Sequence, residues 1–184
     1  MLLNNKEMKI LEQFGGDCSK HNYGLAIAKK LKYNQKTVSN ILTKLEKENI
    51  LKFKREGKNK LYYFNKLNQN IKEIIKIIEL NKKVQFLDKH GDKIDLFKEL
   101  EAKTEKLLVI FGSYAKETET KTSDLDVFTI EELKGIGNLG DNYNIKINVI
   151  KAKTNFLIED PLFKEIIENH IILKGVETFA DKIW

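Results

Sequence analysis

Five consecutive apolar residues, Leu107-Leu108-Val109-Ile110-Phe111, run directly into Gly112-Ser113 and then into a strongly polar stretch. A run this short and this continuous reads as a buried strand, closed by a residue that permits a tight turn. Leu125 to Ile130 and Asn144 to Ile150 are two further strand candidates. Asp160-Pro161 opens a helix to about His170, because Asp is a good cap and proline suits the first helical position. Residues 105–184 therefore predict a small mixed sheet with flanking helices.

The first 66 residues have a different rhythm. Leu3, Ile10, Leu11 and Phe14 outline a helix stopped by Gly15-Gly16, and Leu25, Ile27, Ala28 and Leu31 outline a short second one. A third starts after the N-cap candidate Asn34 and sets Val38, Ile41, Leu42 and Leu45 at i, i+3, i+4, i+7. Ile50 to Arg55 and Lys60 to Phe64 flank the turn Glu56-Gly57-Lys58-Asn59 and predict a hairpin. Residues 67–104 connect the two regions. Ile71, Ile74, Ile75, Ile78, Phe86 and Leu87 share one face of a helix over 70–90, a stripe that leaves a homodimer open, and a further helix carries Ile94, Leu96, Phe97 and Leu100. The fold class expected is α+β.

Charge separates the same regions. Residues 1–66 hold 15 Lys and Arg against 6 Asp and Glu, whereas residues 67–184 hold 18 against 21. A basic head on a mildly acidic body predicts a polyanionic partner, DNA. On the third helix the face away from the apolar stripe offers Gln35, Lys36, Ser39, Asn40, Thr43 and Lys44, side chains able to bond base edges or phosphates. The hairpin adds Lys52, Lys54, Arg55, Lys58 and Lys60, those near its tip within reach of a duplex backbone. The segment from Thr37 to Leu51 resembles the recognition helix and turn of prokaryotic winged helix-turn-helix transcription regulators, a likeness covering about residues 3–66. It implies DNA binding; a winged helix used only for protein contacts is the alternative.

No apolar run approaches the roughly 20 residues of a spanning helix, and the N-terminus lacks the apolar stretch of a signal peptide, so no membrane role and a cytoplasmic location are expected. Cys18 is the only cysteine, and His21, His90 and His170 are scattered. All four are expected to be structural or surface residues, with neither a disulfide nor a zinc site.

The chemistry is concentrated in Gly112-Ser113-Tyr114-Ala115-Lys116, followed by Ser123-Asp124-Leu125-Asp126-Val127. A Gly-Ser turn at a strand end offers backbone N–H groups to a phosphate. Asp124 and Asp126, two apart on a strand, project to one side and can hold one or two Mg²⁺ against a triphosphate. This arrangement resembles the minimal nucleotidyltransferases of the polymerase-beta superfamily, which transfer a nucleoside monophosphate from an NTP. By that resemblance Asp124 and Asp126 are catalytic and metal-binding, and Gly112, Ser113, Lys116 and Ser123 are nucleotide-binding.

The chain departs from that pattern in three places. A third carboxylate usually lies on a later strand, and Asn148 stands there; an amide has no negative charge and cannot act as a base. Asp141, the nearest preceding acid, is too far along an extended chain to replace it. The usual glycine after the Gly-Ser helix is missing, Glu117 following Lys116, and the loop through Lys121 is strongly charged. The alternative function is thus a DNA-binding regulator whose nucleotidyltransferase-like domain is inactive and serves as a nucleotide sensor or interaction module. Gly135-Ile136-Gly137-Asn138-Leu139-Gly140 fits a dinucleotide fingerprint in spelling only and is expected to be a flexible connection between strands.

Overall fold

A computed structural model describes residues 3–15, 20–152 and 161–183, and the chain divides at Ile78/Glu79 into two compact units. Cys18 and Asp160 lie outside the described residues.

The first unit begins with α1 (Asn5–Leu11), held by a reciprocal cap in which Asn4 Oδ1 accepts from the Glu7 amide and Glu7 accepts from that of Asn4. A 3₁₀ turn, Glu12–Phe14, ends at Gly15. Then follow β1 (Asn22–Tyr23), α2 (Gly24–Leu31), α3 (Gln35–Lys47), β2 (Leu51–Glu56) and β3 (Asn59–Phe64). The predicted hairpin forms with Gly57 in the left-handed conformation its turn requires. β1 was not anticipated, since two residues carry no periodicity; it pairs with β3 and makes an antiparallel sheet in the order β1-β3-β2. Val38, Leu42 and Leu45 of α3 are buried as their spacing requires, while Leu25 of α2 is 49% exposed.

Helix α4 (Ile71–Lys89) runs through the division, and the second unit continues with α5 (Ile94–Ala102), β4 (Leu108–Phe111), α6 (Gly112–Ala115), β5 (Leu125–Thr129), α7 (Ile136–Tyr143), β6 (Ile147–Lys151), α8 (Pro161–Glu168), β7 (Ile171–Lys174) and α9 (Val176–Ile183). The sheet order is β6-β5-β4-β7, antiparallel except for the β5/β6 pair. All of β4 is buried, as its unbroken apolar run predicts. Leu108, Ile110, Leu125 and Val127 share a core with Phe97 and Leu100 of α5 and Leu139 of α7. Phe128, of the opposite parity on β5, meets Phe163 of α8 at 5.8 Å between ring centroids.

Two expectations are corrected. Residues 135–140 are not a flexible connection, because α7 begins at Ile136 behind a left-handed Gly135. The strand expected from Asn144 begins at Ile147, after α7 ends on a left-handed Asn144. Gly140 fits the observed packing: a Cβ there would lie 2.6 Å from the Ile145 carbonyl oxygen, so only glycine lets α7 lie this close to the chain entering β6. No helix among the described residues is long and apolar enough to cross a membrane.

Candidate functional site

Parallel pairing of β5 and β6 sets Asp126 opposite Asn148 and Leu125 opposite Ile147. Alternation along the strands therefore aims Asp124 and Asp126 to the same side as Lys146 and Asn148. Asn148 Nδ2 donates to Asp124 Oδ2 at 3.1 Å and to Asp126 Oδ1 at 3.0 Å. Both neighbours are carboxylates, so the amide must turn its NH₂ toward them. Lys146 Nζ donates to Asp124 Oδ2 at 2.9 Å. The hydrogen bond from Lys146, and then that from Asn148, holds the Asp124 carboxyl below its ordinary range.

Gly112 closes in on the acid pair. Its φ is +67°, and a Cβ built there would fall 2.3 Å from Asp126 Oδ2. Any side chain would displace the carboxylate or unwind the turn. The two acids thus converge on one amide nitrogen beside the Gly112 turn. Carboxylates that both reach a single atom can share one oxygen-liganded divalent ion with small adjustment, so the donor set fits Mg²⁺. No group of three or more His, Cys, Asp or Glu gathers as a metal site among the described residues.

The charged loop between turn and acids has a structural account. Glu119 accepts from His90 at 3.0 Å and lies 3.5 Å from Lys89, while Glu117 lies 3.6 Å from Lys89. Burial works to raise the Glu119 carboxyl, but its own backbone N–H, His90 and Lys89 outweigh it and keep it below the ordinary range. Lys89 and His90 at the end of α4 therefore anchor the loop. Glu117 has φ +56°, so it occupies the left-handed conformation for which a glycine is ordinarily used.

The other expected nucleotide contacts are placed as follows. Ser113 is half-buried, and its carbonyl accepts from the Thr118 amide at 3.0 Å. Ser123 Oγ accepts from the Thr120 amide at 2.9 Å and so shapes the loop. Lys116 is bound to Glu165 of α8 at 2.7 Å. Asp141 lies near the end of α7, lining a cleft of about 490 Å³ that Lys146 also borders.

In the first unit, Gln35, Lys36, Ser39 and Asn40 are exposed on α3, and Thr43 is half-buried. Gln35 and Ser39 line a cleft of about 510 Å³ together with Lys29 of α2 and Lys58 and Lys60 of the hairpin. Polar helix face and cationic hairpin thus border one surface. Lys44 is committed elsewhere, bound at 2.6 Å to the buried Glu7. Lys60 stacks 3.8 Å over the Phe53 ring and lies 3.7 Å from Glu46, whereas Arg55 and Lys58 are exposed. Lys52 is half-buried on β2, and Lys54 pairs with Glu56 at 3.2 Å.

Residues 92–174 match the nucleotidyltransferase domain family, a span that ends with β7 and contains the whole four-stranded sheet. The chain is 36% identical over 77 residues to a Methanocaldococcus jannaschii protein whose name assigns it, by inference, as a protein adenylyltransferase. That alignment covers 38% of this chain and 56% of the relative, so the chain spans little more than half of that protein's length. Among solved structures, the chain is similar to a toxin–antitoxin crystallised with AMP-PNP, at 19% identity and a TM-score of 0.34, over 56% of this chain and 82% of that one.

Proposed function

We propose that the second unit transfers a nucleoside monophosphate from an NTP to a hydroxyl acceptor, and that the first unit is a winged helix that binds DNA. The observation carrying the enzymatic half is the convergence of Asp124 and Asp126 on one atom beside Gly112. Asp124 and Asp126 are the residues that would hold Mg²⁺, which when bound supplies positive charge against the triphosphate. Gly112 and Ser113 present backbone N–H groups to the phosphates. The acceptor oxygen bonds to the α-phosphorus as the bond from that phosphorus to its bridging oxygen breaks, and pyrophosphate leaves with the electron pair. Asn148, an amide, cannot take the acceptor's proton, which passes to solvent water as the new bond forms.

The name of the Methanocaldococcus jannaschii relative makes ATP and a protein acceptor the first pair to try. The test is label transfer from each of four NTPs, with Mg²⁺ or Mn²⁺, to proteins of a cell lysate and to the chain itself. Incorporation that falls at least about 100-fold in Asp126→Asn supports the proposal. Absence of label with every nucleotide overturns turnover by this protein. A second reading is favoured by the amide at Asn148: NTP binding without turnover, coupled to DNA affinity. Label gained only in Asn148→Asp would select it.

On the nucleic-acid side, the support is the shared cleft bordered by Gln35, Ser39, Lys58 and Lys60, together with the basic head. Gln35, Ser39 and Asn40 are the candidates for base edges, and Lys36, Arg55, Lys58 and Lys60 for phosphates. Thr43 is a half-buried candidate on the same face of α3, and Lys44 acts through its bond to Glu7, which fixes α3 on α1.

A further inference from the structure

Lys146 and Asn148 form one half of a two-by-two arrangement across parallel strands, acid-x-acid on one side and lysine-x-amide on the other. We infer that this pair replaces one divalent ion: the site takes a single divalent cation with its NTP, and the Lys146 ammonium, moving from Asp124 to the phosphates, supplies the charge a second ion would bring. This rests on the proposed nucleotidyl-transfer function and deepens it.

The charges make the substitution self-consistent. Where a three-carboxylate site would hold two divalent ions, exchanging the third acid for an amide removes one negative charge, and placing an ammonium alongside adds one positive charge. Together these equal the two charges of the omitted ion, so the loaded site keeps the same net charge. A second divalent ion would meet the Lys146 ammonium, 2.9 Å from Asp124, and at Asn148 a neutral amide in place of a third anionic ligand. Reach also agrees. The Lys146 side chain is 72% exposed and its partner Asp124 37%, so the ammonium is tied to the acid at the surface and has room to swing. An ammonium on a flexible stem is a usual phosphate partner, three donors on a compact charge. Neither residue belongs to the core cluster, and both bond to the acid pair.

The test counts ions rather than products. The full chain is saturated with the non-hydrolysable ATP analogue AMPCPP and titrated with Mn²⁺, free ion being read by electron paramagnetic resonance and nucleotide by equilibrium dialysis. One Mn²⁺ per bound nucleotide is expected, and two in the double variant Lys146→Ser/Asn148→Asp. Lys146→Ser alone should weaken nucleotide binding about tenfold with one Mn²⁺ retained. Two ions in the natural protein overturn the inference while leaving the transfer proposal standing, and so does a folded double variant that still takes one. No binding of AMPCPP or of the corresponding α,β-methylene analogues of the other three NTPs by the folded natural protein at any Mn²⁺ concentration overturns both. Should the double variant fail to fold, the natural protein's count decides alone.

Discussion

Two clusters of acids and cations lie in the second unit, and burial has given similar groups opposite character. Glu79 and His170 are each 1% exposed; His170 Nε2 lies 2.9 Å from the Glu79 carboxylate, Lys82 Nζ donates to it at 2.7 Å, and His170 Nδ1 bonds to the Ile167 carbonyl at 2.9 Å. Asp124 and Lys146 are also an acid and a cation at 2.9 Å, but both are open to water. Water competes for every bond of the exposed pair, so separating it costs little. The buried pair has no such substitute, so removing His170 leaves the buried Glu79 carboxylate with Lys82 alone. A rearranging site and a structural tie thus differ in burial more than in composition.

The sharpest way to break this contrast is to cut the buried tie. His170→Ala should cost about 3–5 kcal/mol in urea unfolding, while Lys146→Ala should stay within about 1 kcal/mol of the natural protein. Equal losses would remove the distinction. Acid sharpens it further. Burial acts to raise Glu79, but Lys82 and His170 outweigh it and lower its carboxyl from the ordinary 4.5 to about 2. A carboxyl depressed in the folded state contributes stability that is present above 4.5 and lost as pH falls toward about 2. Unfolding midpoints should therefore decline across that window, and Glu79→Gln should flatten the decline.

The basic head offers a similar contrast between committed and available cations. Replacing both Arg55 and Lys58 by Gln should reduce the slope of log affinity for duplex DNA against log salt by about 2, one unit for each lost phosphate contact. Lys44→Gln should instead lower stability, since it leaves the buried Glu7 without its cationic partner. An unchanged salt slope in the first variant would take the hairpin out of the interface. The smallest effect is expected at Glu117. Its left-handed backbone costs about 1–2 kcal/mol in a residue with a Cβ, and glycine's extra chain entropy offsets about half of that. Glu117→Gly should raise stability by up to ~1 kcal/mol in the same urea experiment, and a loss would show that the Lys89 contact matters more than the strain.

Legibility followed periodicity. α3 was visible because Val38, Leu42 and Leu45 recur with the helical repeat, and β4 because nothing polar interrupts it. α7 was not, since three glycines in six residues argue against a helix; Gly140 is needed there because a Cβ would lie 2.6 Å from the Ile145 carbonyl oxygen, a demand known only once the chain has folded. β7 and α9 were missed for want of a turn motif before Ile171. At the site, Gly112, Asp124, Asp126 and the unusual Asn148 could be picked out by type and spacing. Lys146 could not, because a lysine in a lysine-rich chain carries no signal of its own. His90 and Glu119 lie 29 residues apart and nothing along the chain joins them.

The sequence by itself determined which segments have an apolar side, where the backbone must turn, and which acids are two apart on a strand, because these depend on neighbours within a few residues. The pairing of β5 with β6 was decided only by the tertiary structure. That pairing brings Lys146 and Asn148 against Asp124 and Asp126, and it depends on two distant segments settling into one register, which is fixed by the shared core beneath them.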